Sequence, residues 1–222
     1  MRNLSRLLIA APLFLLTPAP TAAQTKLGIT GGLNLASVDI SSESGLVPDF
    51  ESVTRLSLGL SATIPISETW GLQLAGGYSQ KGAMSSFTED GANVESTLKM
   101  DYIELAALGM VHLPVSGERV SAHLLAGPAL ALETSCGISA QASFMGSDLE
   151  ISEDCDDSGP DRSNFDVGLA GGGGIEIGLS DALGVSLDAL YTFGFLDMDK
   201  ADDDSLKHRV LSLRVGLVYS IG

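Results

Sequence analysis

Between residues 210 and 221 every second position is apolar: Leu211, Leu213, Val215, Leu217, Tyr219 and Ile221. The intervening Ser212, Arg214, Gly216, Val218 and Ser220 are polar or glycine at four of five positions. A helix cannot hold that alternation over twelve residues, whereas a strand does so by geometry. The same period recurs. Leu27, Ile29, Leu33 and Leu35 oppose Lys26, Gly28, Thr30, Gly32 and Asn34, and Leu56, Leu58, Leu60, Ala62 and Ile64 oppose Ser57, Gly59, Ser61 and Thr63. Val185, Leu187, Ala189, Tyr191 and Phe193 oppose Ser186, Asp188, Leu190, Thr192 and Gly194. Val167, Leu169, Ile175, Ile177 and Leu179 oppose Asp166, Gly168, Ala170, Gly172, Gly174 and Glu176. Three more stretches, 70–81, 98–113 and 120–133, keep the period less tightly. The pattern predicts eight strands.

One face of these strands is nearly all Leu, Val, Ile and Ala, as a surface against hydrocarbon requires. The other holds Glu104, Glu176, Asp188 and Arg214 among Gly, Ser and Thr, which suits the narrow interior of a small barrel. A soluble barrel with its apolar face inward is the competing arrangement. Connection lengths bear on the choice. The segments 39–51, 83–94, 134–162 and 197–206 are long, and 65–69, 114–119 and 180–183 are short, in strict alternation. Pro65, Ser67, Pro114, Ser116, Gly117, Ser180 and Asp181 supply turn residues to the short ones. An outer-membrane barrel has short periplasmic turns and longer outer loops. The expected fold is therefore all-β: an eight-stranded antiparallel up-and-down transmembrane β-barrel, termini periplasmic and long loops extracellular.

Residues 1–23 read as an address. Arg2 and Arg6 precede an apolar run, 7–16, too short to span a bilayer, and Thr21 and Ala23 occupy the small positions of a cleavage site. The expected organisation is a signal peptide over 1–23 and a barrel domain over 24–222. The net charge of −16 comes from 28 acids against 12 bases; losing two bases with the leader leaves −18. Such a charge repels nucleic acid. Hydrophobic content of 45% is too high for a disordered chain.

Several segments resemble the porin-like outer-membrane β-barrel domain family common in Bacteroidota and their relatives. They are Gly28-Ile29-Thr30-Gly31-Gly32-Leu33-Asn34, Tyr78-Ser79-Gln80-Lys81-Gly82, Asp101-Tyr102-Ile103-Glu104-Leu105, Ala126-Gly127-Pro128, Asp166-Val167-Gly168-Leu169 and Arg209-Val210-Leu211-Ser212-Leu213. Ala106 stands where the family usually has proline. The resemblance spans nearly all of 24–222 and implies the eight-stranded barrel without implying one activity. The last strand also resembles the signal read by the barrel-assembly machinery, with Arg214, Gly216, Tyr219 and Ile221 in its places; Gly222 stands where a final aromatic is usual.

Candidate chemistry is sparse. Most acids crowd the long connections, notably Asp148, Glu150, Glu153, Asp154, Asp156, Asp157 and Asp161, then Asp197, Asp199, Asp202, Asp203 and Asp204. Neither cluster has the spacing of a calcium loop, so a solvated acidic surface is expected, with no metal and no cofactor. Cys136 and Cys155 are the only cysteines, both in the longest connection of an exported chain, and point to a disulfide. The glycine run 171–174 lacks a following Lys-Ser/Thr and is not a phosphate loop. His112, His123 and His208 form no recognisable pair with a nucleophile, so no catalytic residue is expected. Glu104, Glu176, Asp188 and Arg214, with Lys26, Lys81 and His123, are a candidate polar network in the lumen. Pairing is its default, because unpaired buried charge is costly. The functional expectation is a monomeric, non-enzymatic outer-membrane barrel with a structural or surface-interaction role and a lumen closed by charge pairs. Its expected partners are outer-membrane lipid, lipopolysaccharide and the barrel-assembly machinery. The alternatives are a narrow porin-like channel for small solutes and a rim-active enzyme such as a lipid A modifying enzyme.

Overall fold

A computed structural model describes residues 24–41, 51–89, 92–115, 119–144, 147–155, 164–195 and 205–221. The expected signal peptide and the acidic runs 156–161 and 197–204 lie outside these. Nine strands are present: β1 (Thr25–Ser41), β2 (Glu51–Pro65), β3 (Trp70–Glu89), β4 (Ala92–Leu113), β5 (Val120–Phe144), β6 (Ser147–Asp154), β7 (Phe165–Gly178), β8 (Leu183–Gly194) and β9 (Ser205–Ile221). Eight close a ring in the order β4-β3-β2-β1-β9-β8-β7-β5, with β4–β5 completing it; every pairing is antiparallel. The first and last ring strands pair along their whole length, from Thr25↔Ile221 to Ser41↔Ser205. Closure leaves the ring no free edge, the condition for strands to cross a bilayer.

β6 is the ninth strand and stands outside the ring, pairing Gly137↔Asp154 through Phe144↔Ser147 with the far end of β5. Two of the predicted connections are largely strand. Most of 83–94 is the continuing ladder of β3 and β4, paired up to Glu89↔Ala92, and 134–162 contains the end of β5 and all of β6. The hydrophobic period marks only strand that has one apolar environment, whereas a backbone ladder continues wherever partners remain in register.

The apolar faces point outward. Ile29 is 67% exposed, Leu60 64% and Leu105 59%, within a continuous belt of exposed Leu, Ile and Val. The short turns are built locally: Ser67 Oγ accepts from the backbone N–H of Thr69 and Trp70 at 3.3 and 3.0 Å, and Ser180 Oγ from that of Leu183 at 3.1 Å. Trp70 and Tyr219 lie exposed near this end, and Tyr191 and Phe193 form an edge-to-face pair, centroids 4.6 Å apart, toward the other.

Inside, the barrel is more apolar than the alternation suggests. Leu108, Met110, Leu125, Ala170 and Leu190 pack into one buried cluster, and Met100, Tyr102 and Ala131 into a second. Glycines set how this interior fits. Gly172 stands in register between Leu125 and Leu190, and a Cβ there would meet the backbone oxygen of Ala189. The two leucines share one cluster across the space that glycine leaves.

Candidate functional site

The lumen collects the charges that the apolar belt excludes. Alternation puts Lys26, Lys81, Glu104, His123, Glu176, Asp188 and Arg214 on the inner side of their strands, and six of the seven meet in three pairs. Lys26 Nζ donates to Glu176 Oε1 at 2.6 Å, linking β1 to β7 across the barrel. Lys81 Nζ lies 2.7 Å from Glu104 Oε1 and 4.6 Å from the centre of the Tyr102 ring. His123 Nε2 and Asp188 Oδ1 are 2.7 Å apart. That last contact spans two strands and is possible because Gly174 stands in register between them, where a Cβ would meet the Asp188 carboxylate.

Lys81 is the most enclosed charge, with 2% of its side chain exposed. Desolvation of that ammonium is offset by one carboxylate and one aromatic face, since an isolated buried ion is strongly unfavourable. Beside it lies a neutral network not anticipated from the sequence. Asn34 Nδ2 donates to Ser79 Oγ at 2.9 Å and to the Gln80 carbonyl at 3.0 Å, while Ser212 Oγ donates to Asn34 Oδ1 at 2.7 Å. Asn34, Ser79 and Ser212 are all buried. Parity of strand positions placed these residues inside; the register that joins them is set by turns and shear, which no single strand encodes.

Arg214 differs. It is the cross-strand neighbour of Asp188 on β8 and of Gly32 on β1, but among the described residues it makes no salt bridge. It lines a cavity of about 110 Å³ that runs from Gln24 and Pro65 at the short-turn end to Ser79 and Glu104. Beyond the cavity, on the long-loop side, lie Lys81, Tyr102 and the Asn34 network. Among the described residues, neither His112 nor His123 is hydrogen-bonded through its ring to a Ser or Cys.

Above the lumen, Cys136 and Cys155 form a disulfide with Cα atoms 5.4 Å apart, tying the end of β6 to β5. Of the expected assembly residues, Tyr219 and Ile221 lie on the outer face, 55% and 47% exposed, while Gly216 is buried and Arg214 points inward.

A closed antiparallel ring with an apolar exterior and a charged interior defines a membrane β-barrel. The chain belongs to the outer membrane protein beta-barrel domain family, matched over residues 22–200, and the outer membrane is accordingly its location. Solved structures similar to it include Neisserial surface protein A, at 15% identity over 89% of this chain and 97% of that one, with a TM-score of 0.48. OprG from Pseudomonas aeruginosa matches at 14% identity, 90% and 97% coverage and 0.48. Ail, the attachment invasion locus protein of Yersinia pestis, matches at 19%, 89% and 99%, and 0.37. No curated protein is similar to it in sequence.

Proposed function

We propose that this chain is a non-enzymatic outer-membrane barrel, closed to solutes at rest, whose role is structural and surface-interacting. The observation that carries this reading is the bonded layer formed by Lys81, Glu104 and Tyr102 with Asn34, Ser79 and Ser212, of which Ser79 and Glu104 line the long-loop end of the cavity. An eight-stranded ring is only wide enough for its own side chains, so paired charges are sufficient to fill it. Further support comes from His112 and His123: among the described residues neither has a hydroxyl or thiol partner of the kind that a histidine-activated nucleophile requires. In this reading the short turns and both ends of the ring seam face the periplasm. The β5–β6 hairpin then projects outward, carrying Glu150, Glu153 and Asp154 toward the cell's surroundings, with lipopolysaccharide at its sides. Tyr219 and Ile221 remain available to the barrel-assembly machinery, and the barrel acts as a monomer.

The cavity favours one competing reading, a narrow channel whose seal opens. Single-channel recording in planar bilayers separates the two. Persistent silence of the purified barrel is expected; steady conductance steps without any applied trigger would sink the closed-lumen reading in favour of the channel.

A further inference from the structure

We infer that the lumen holds a site for one small oxyanion, a phosphate or a short carboxylate, built by Arg214 and Ser57 on either side of Gly32, with Arg55 one row beyond. Strand register brings these residues together. Gly32 of β1 stands between Ser57 of β2 and Arg214 of β9, and Asn34, two positions on, stands beside Arg55. All face inward. At Gly32 the strands approach too closely for a side chain, since a Cβ there would meet the Leu213 carbonyl, so no side chain stands between Ser57 and Arg214.

The other glycine-spaced rows are closed by their own side chains. Across Gly172 the gap is closed by Leu125 and Leu190, and across Gly174 by the contact of His123 with Asp188. Each of those rows ends in matched partners. Across Gly32 a guanidinium faces a hydroxyl, and the structure records no bond between them. Ser57 is 5% exposed and its Oγ has no partner; the Nε of Arg55 is likewise buried without one. Neither guanidinium has a salt bridge among the described residues. The three carboxylates that line the same cavity, Glu104, Glu176 and Asp188, are already held, by Lys81 at 2.7 Å, Lys26 at 2.6 Å and His123 at 2.7 Å.

A row of donors lacking an acceptor selects its ligand by chemistry. Guanidinium forks match the paired oxygens of a carboxylate or phosphate, and a hydroxyl adds a third donor. Ser57 and Arg214 both line the cavity of about 110 Å³, and a water takes roughly 30 Å³, so the cavity as a whole has room for a phosphate-sized group. The cavity's lining reaches Gln24 and Pro65 at the short-turn end, the side from which a ligand would enter. This site does not depend on whether the barrel conducts.

Amide NMR of the full barrel in lipid nanodiscs tests it, titrating sodium phosphate and, separately, sodium acetate in chloride-free buffer, with sodium chloride as the ionic-strength control. Saturable shifts at Gly32, Ser57 and Arg214 with either oxyanion are expected, and which one binds tighter names the class. Arg214→Gln should weaken binding about tenfold or more, the usual loss for a hydrogen bond to a charged group. Ser57→Ala should weaken it several-fold without removing a charge, and serves if the arginine variant does not fold. Shifts that chloride reproduces, shifts confined to residues outside the lumen, or affinity unchanged in both variants would each overturn the site.

Discussion

Removing the carboxylate of Glu104 should be among the most damaging single changes to the barrel interior. The substitution Glu104→Ala leaves Lys81, 2% exposed, with only the Tyr102 ring 4.6 Å away. Breaking a buried pair by deleting one partner typically costs about 3–5 kcal/mol, while replacing both partners with apolar residues of similar size is often neutral. Glu104 keeps 23% of its side chain exposed, so the lower part of that range is the better expectation. The double variant Lys81→Met/Glu104→Leu should lie near wild type, so the second change largely rescues the first. Urea unfolding in lipid vesicles, followed by fluorescence of Trp70, the only tryptophan, reads both. With an m-value of about 2 kcal/mol/M, a loss of about 3 kcal/mol lowers the midpoint by about 1.5 M. A single variant costing under about 1 kcal/mol, or a double variant as unstable as the single, would refute the argument that the pair compensates a desolvated charge.

Other outcomes follow from neighbouring features. Gly172→Ala should cost about 1–3 kcal/mol by overpacking, because its Cβ meets backbone, whereas Gly171→Ala, whose Cβ finds only the Leu125 oxygen at 3.8 Å, should be tolerated; heat-shift electrophoresis of the folded band distinguishes them. Cys136→Ser/Cys155→Ser should leave the midpoint of barrel unfolding in place yet expose the β5–β6 hairpin to protease, since the 19-residue separation confines the disulfide's effect to the hairpin; cleavage that matches wild type would contradict this. N-terminal sequencing of the protein recovered from outer membranes should begin at Gln24 if residues 1–23 are removed as a leader.

How plainly each strand reads in the sequence follows from what its two faces touch. β9 is the clearest because Leu213, Val215 and Leu217 face outward while Ser212, Arg214 and Gly216 face the lumen. β4 and β5 blur because Leu108, Met110 and Leu125 turn inward to a packed cluster, so both faces are apolar there. β6 does alternate, Leu149 and Ile151 against Asp148, Glu150 and Ser152, but its density of acids reads as loop. For the lumen, parity alone put Glu104, Glu176, Asp188 and Arg214 on one side of their strands. Which of them meet depends on ring register and on glycine spacers. His123 finds Asp188 across Gly174, a relation between three strands that no local pattern contains.

The seam between β1 and β9 joins the first ring strand to the last. Until Ser205–Ile221 arrives, the outer edge of β1 has no strand to pair with, although seven other ring strands precede β9 in the chain. Closure of the ring therefore waits for β9, and a chain lacking that strand presents two open edges rather than a smaller barrel. The same seam brings Thr25 beside Ile221, so a short linker joining them, with a new opening at 65–69 or 179–182, should yield a circularly permuted chain with the same ring.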